Sequence, residues 1–193
     1  MAVTAKGTPY VESSDLVANY PGVSLALANH IDTLGKVLQV VSTTKTDTAA
    51  LSVAALSFTG NLAGLTATIT PSAASSKVLI SGVINMSRTT DVPFGSFRIM
   101  RDSTAVGIGV TTGSRTSLTS SSVASFNGDS AIVAVPFSFL DSPNSTSAIV
   151  YAIQGFNIGT STNTIFINRS PGDANSATYS RTISTITLME ISA

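Results

Sequence analysis

Residues 77 to 88 read KVLISGVINMSR. Val78, Ile80, Ile84 and Met86 share one parity, and Leu79 and Val83 share the other. A repeat of two is the repeat of a strand, whose successive side chains point to opposite faces. A strand with one wet face alternates apolar with polar residues. This one is apolar on both sides over part of its length.

The same pattern recurs later in the chain. AIVAVPFSFL puts Val133, Val135, Phe137 and Phe139 on one face, with Ile132 and Leu140 opposite. In the last candidate strand Ile183 and Met189 oppose Ile186 and Leu188. Further strands are read at KVLQVVS, ALSVAALSFT, LTATITP, FGSFRIMR, AVGIGV, SAIVYAIQGFNI and TIFINRS. Clusters of Gly, Pro, Asn, Asp and Ser separate them, and residues 111 to 130 read as one long hydroxyl-rich connection. Many short strands with such regular punctuation predict an all-β, jelly-roll-like antiparallel sandwich, not βαβ units. Strands apolar on both faces predict a second covering layer. A neighbouring subunit is the simplest source of it, and an internal three-layer arrangement is the alternative.

One stretch breaks the β pattern. YPGVSLALANHIDTLG, residues 20 to 35, places Val23, Leu27, Ile31 and Leu34 at spacings of 4, 4 and 3, one face of a helix. Tyr20 and Leu38 extend the stripe. Pro21 suits a first helical position and Gly35 a helix end. A helix this short is marginal alone in water, so its apolar face must pack on something. The back of its own sandwich, the same helix of neighbouring subunits and a groove on a larger particle are all open. The chain is therefore divided into an arm and helix, residues 1 to 38, and a sandwich, residues 39 to 193.

The chemistry is sparse. Ten basic and ten acidic residues balance across the 193 residues. An electrostatic nucleic-acid binder needs a basic face, so that class is not expected. Charged residues make up 10%, against about 25% in typical domains. A weakly charged, hydroxyl-rich surface suits a protein covered by copies of itself or by a larger particle. No cysteine is present, which excludes disulfides and thiolate metal sites. No secretory signal or membrane-length apolar run is read, so a soluble chain without membrane insertion is expected. His30 is the single histidine and lacks the partners that a triad or a metal site requires. The carboxylates sit mostly beside turn residues, where they bond backbone. Neither enzymatic activity, nor a cofactor, nor a metal is expected. Asn144-Ser145-Thr146 and Asn168-Arg169-Ser170 match the glycosylation sequon.

Several pieces together resemble a known family. TPYVESSDLVANYPGVSLALANHIDTL is similar to the attachment segment that opens short tail-fibre and minor tail proteins of tailed bacteriophages, cyanophages especially. LTATITPSAASSKVLISGVINMS, FRIMRDSTAVGIG, FLDSPNSTSAIVYAIQ, TIFINRS and ISTITLMEIS resemble the β-sandwich head of the same proteins. The resemblance implies a homotrimer, a jelly-roll head and an N-terminal part fixed to other virion proteins. Many such fibres carry a long shaft between anchor and head, and here the head follows the helix almost at once. A capsid decoration (cement) protein is therefore the second expectation, and an intracellular carbohydrate-binding or regulatory module the third. As a fibre, the chain would present loops 88–93, 111–130, 141–147 and 169–180 to a host-surface glycan. Arg115, Asn127, Asp129, Asp141, Asn144, Asp173 and Tyr179 are the candidate contacts.

Overall fold

In a computed structural model of the chain, the described residues are 2–3, 9–10, 21–22, 24–27, 35–88, 94–123 and 129–192. A two-residue ribbon pairs β1 (Ala2–Val3) with β2 (Pro9–Tyr10). Residues 21–22 and 24–27 are helical, with Leu25 exposed and Leu27 half-buried. Tyr20, Val23, Ile31 and Leu34 lie outside the described residues, as do His30 and Asn127. Leu38 does not extend a helical stripe. It is the second residue of β3 (Val37–Lys45), which begins inside the arm drawn from the sequence.

The rest is an antiparallel sandwich of two sheets. The first contains β3, β4 (Ala49–Val53), β6 (Lys77–Arg88), β10 (Val133–Asp141), β12 (Asn163–Ile167) and β13 (Ser184–Ile191). The second contains β5 (Thr66–Ile69), β7 (Phe94–Arg101), β8 (Thr104–Val106), β9 (Ser120–Val123) and β11 (Ile149–Gly155). The chain passes repeatedly from one sheet to the other, as a jelly-roll-like sandwich requires.

β6, the strand read first, organises the first sheet. β10 runs along one of its edges from Val78 to Met86. β13 takes the other edge at residues 77–83, and β12 continues that edge at 86–88. Val78, Ile80, Ile84 and Met86 all point inward and are fully buried. Phe97, Ile99, Tyr151 and Ile153 of the second sheet meet them from the opposite side, also fully buried. Gly82 holds the one gap in the inward row. A Cβ there would collide with the Thr185 carbonyl oxygen and lie 2.8 Å from Phe137 Cζ. The missing side chain lets Phe137, its partner across the ladder, fold over β6 and meet Phe97 edge-on at 5.4 Å. Pro136 sits on β10, which among the described residues pairs with β6 alone, so its absent N–H falls on an edge strand.

Two sequence readings change. The tract 111–130 is not one connection, because β9 lies within it. Its SSSV carries no apolar alternation. It is held by pairing with β7, a 2.8 Å bond between the hydroxyls of Ser96 and Ser121, and Thr119, whose Oγ1 accepts from Ile99 N. ALSVAALSFT is a strand only as far as Val53. Leu56 then turns at φ 51°, and residues 54 to 64 loop across to the second sheet.

Candidate functional site

The two ends of the sandwich differ. At one end the chain enters: Lys36 N donates to Ser192 Oγ at 2.8 Å, and Ser192 N donates back to the Lys36 carbonyl at 2.9 Å. Val37 pairs with Ile191, and Ile191 with Lys77, at the same end. At the other end lie Arg88, Val133, Ser184 and Lys45, from which the 88–94 and 124–132 connections and the 168–183 loop depart. The loop 141–147 follows Asp141, the partner of Val78, and so lies at the end where the chain enters.

The candidate contacts therefore separate. Asp141 faces inward and is not presented on the surface. Its carboxylate is buried, accepts from Tyr151 Oη at 2.7 Å and from Arg101 Nη1 at 2.9 and 3.0 Å, and takes Ser142 N as well. It pins β10 of the first sheet to β7 and β11 of the second. Burial, then the bond to Asp141, pushes the Tyr151 hydroxyl far above its ordinary range. Asn144 is exposed, with φ 52°, at the end where the chain enters. Arg115 stands in a hairpin-like excursion closed by Gly109 N on the Leu118 carbonyl, with Arg115 N on the Thr112 carbonyl.

Asp129, Asp173 and Tyr179 come together. Gly172 N donates to the Asp129 carbonyl at 2.8 Å, which ties the two long loops to one another. The Tyr179 ring lies over Gly172 so closely that any Cβ there would strike it. Two arginines that the sequence reading passed over organise the rest. Arg169 Nη1 is 3.0 Å from one Asp173 oxygen, and Arg181 Nη2 is 2.5 Å from the other. Arg169 also donates to the carbonyls of Ser170 and Pro171 and covers the Phe166 ring at 4.6 Å. Their signal in the sequence was faint: two arginines flank an Asp-containing turn tract, a pairing visible only once Arg169 and Arg181 bridge across the base of the loop. Asp173, Asn175, Ser176, Tyr179 and Arg181 border an open depression of about 270 Å³.

Below this loop Asn168 is fully buried at φ 61°. Its amide donates to the carbonyls of Lys45 and Asp47, and its Oδ1 accepts from Ser184 Oγ at 2.6 Å. In the folded chain this asparagine is closed to glycosylation, whereas Asn144 is exposed. Glu190 is likewise buried. Burial alone would raise its carboxyl, but bonds from Ser72 N, Ser72 Oγ, Ser76 and Gln39 outweigh this and hold it below the usual range.

The outward face of the first sheet is the second feature of note. Leu140, Leu79, Met189 and Val40 stand side by side across β10, β6, β13 and β3. Ser138, Ser81, Thr187 and Ser42 form the next row, and Pro136, Val83, Thr185 and Thr44 the one after. None of these twelve side chains is charged. Val40 is 57% exposed, Leu140 48% and the adjoining Leu38 47%. Both faces of β6 are thus apolar, as the sequence implied, but among the described residues no second layer covers the outward one. Among the described residues no His, Cys, Asp and Glu cluster could hold a metal, and no helix is long and apolar enough to cross a membrane.

No protein-family model matches the chain, and no curated protein matches it. Among solved structures, the chain is similar to one of infectious bursal disease virus, Gt strain, at 10% identity and a TM-score of 0.36. That match covers 80% of this chain and 42% of the other. The VP2 subviral particle of infectious bursal disease virus matches at 12% identity and a TM-score of 0.36, covering 79% of this chain and 41% of the other. The chain thus spans less than half the length of either, and superpositions this loose carry no argument about role.

Proposed function

We propose that the protein is a non-enzymatic virion component, a short trimeric tail fibre anchored through its N-terminal segment and presenting loops to a host-surface glycan. The observation that carries this reading is the two-ended layout. The chain enters beside Lys36 and Ser192, and the loops bearing Asp129, Asp173 and Tyr179 gather at the far end. The point where the N-terminal segment joins the sandwich and the loop cluster are so separated by the length of the sheet. The uncharged outward face supports self-association, since a patch of exposed apolar side chains such as Val40, Leu140 and Leu38 is ordinarily covered by a partner. Three weak sites on one trimer, and several trimers on one particle, would supply adhesion by avidity. Capsid decoration is the second reading, favoured by the sandwich beginning at Val37, which leaves no shaft between helix and head.

Adsorption separates the two. The purified chain should bind host cells and compete with infection, and deletion of residues 1–35, which spares β3, should keep it off the particle. A chain that ignores cells but coats emptied capsids is a decoration protein, and normal incorporation of the truncated chain would remove the anchor.

A further inference from the structure

We infer that the depression between Asp173 and Arg181 is a binding site for a single neutral hexose ring, an inference that rests on the host-recognition reading above. A sugar presents two chemistries at once. Its ring C–H groups form a flat apolar patch, and its hydroxyls form a rim that both donates and accepts. A site for it needs an immobile aromatic surface bordered by fixed polar groups of both kinds.

The loop supplies each part. The Tyr179 ring is half-buried and backed by Gly172, where no side chain fits. It is thereby held as a platform. Asn175 brings an amide, Ser176 a hydroxyl, and Arg181, 57% exposed, the edge of a guanidinium. Asp173 offers the remaining lone pairs of a carboxylate already oriented by two arginines. The loop backbone and the Ser176 hydroxyl are held before any ligand arrives: Tyr179 N donates to the Ser176 carbonyl, Ser176 N to the Ala174 carbonyl, and the Ser176 and Thr178 hydroxyls bond each other at 3.0 Å. Such preorganisation lowers the entropic cost of binding. Charge decides the class of sugar. Of the residues that border the depression, Asp173 and Arg181 are the charged ones and pair with each other, so its lining holds no surplus charge for an acidic sugar or a phosphate. At about 270 Å³ it accommodates one ring and not an extended chain.

The test uses the full chain and the methyl pyranosides of glucose, galactose, mannose and N-acetylglucosamine, followed by NMR titration. At least one should move the backbone resonances of residues 173–181 with millimolar affinity. Tyr179→Ala should weaken that sugar at least tenfold, and Tyr179→Phe should keep it within about threefold. Asn175→Ala, at an exposed position that the fold does not need, should weaken it several-fold. Failure of all four sugars to move these resonances would overturn the site, as would binding that Tyr179→Ala and Asn175→Ala both leave intact. Cell adsorption distinguishes the two levels of inference. A chain that adsorbs equally well as Tyr179→Ala keeps its role and loses this site, whereas a chain that never adsorbs loses the role itself.

Discussion

Tyr151 and Asp141 show how a few polar residues hold this sandwich in register. An unpaired buried carboxylate would cost several kcal/mol, so it must be matched. Here Arg101 supplies the charge, and Tyr151 and Ser142 N further donors. The phenol of Tyr151 keeps its proton in the folded chain well above the value of 10 at which an unfolded tyrosine loses it. Above that pH the unfolded state binds fewer protons than the native one, so stability falls as pH rises, by up to ~1.4 kcal/mol per unit for this group. Denaturant unfolding of the native chain and of Tyr151→Phe checks this. The native chain should be the more stable by about 1–2 kcal/mol near neutrality, and its advantage should shrink above pH 10. An advantage that stays constant to pH 11 would show that the hydroxyl is not held this way. Neither role was legible beforehand. Asp141 read as a loop carboxylate because it is followed by SPNS, and only the register of β10 against Val78 turns it inward.

Most of the elements were legible, and for one physical reason. Where a strand buries one face, its alternation is written in apolar residues, so the whole of Lys77–Arg88 and Phe94–Arg101 could be read off. β9 could not, because Ser120–Val123 is specified by backbone pairing and hydroxyl bonds and not by apolar alternation. The open face of β6 belongs at this scale too. Leu79 and Val83 on the second parity foretold an apolar outer face, and the row Leu140–Leu79–Met189–Val40 is what they build with their neighbours. A charge placed in that row would be unpaired if copies of the chain cover it, and harmless if water does. Val40→Lys and Leu140→Lys should accordingly each leave circular dichroism unchanged and lower the association state. Retention of the native mass in both variants would mean that this face takes no part in assembly.

At the scale of the whole molecule the sequence described a chain with two kinds of end but not their arrangement. The spacing of Val23, Leu27, Ile31 and Leu34 gave a candidate anchor, and the turn-rich tracts gave four candidate loops. Which loops share an end depends on the pairing of β6 with β10, β12 and β13, a set of contacts between residues far apart in the chain. That pairing joins Asp129 to Gly172 and sends Asn144 to the opposite end. The rarity of charge acquires a meaning here as well. With ten basic and ten acidic residues in 193, and none of either on the three central rows of the outward sheet face, little opposes contact between copies. The most direct measurement is the mass of the intact chain in solution at micromolar concentration, by light scattering or native mass spectrometry. A species three times the 19.7 kDa of one chain is expected. A compact, monodisperse 19.7 kDa particle that does not associate on concentration would contradict it.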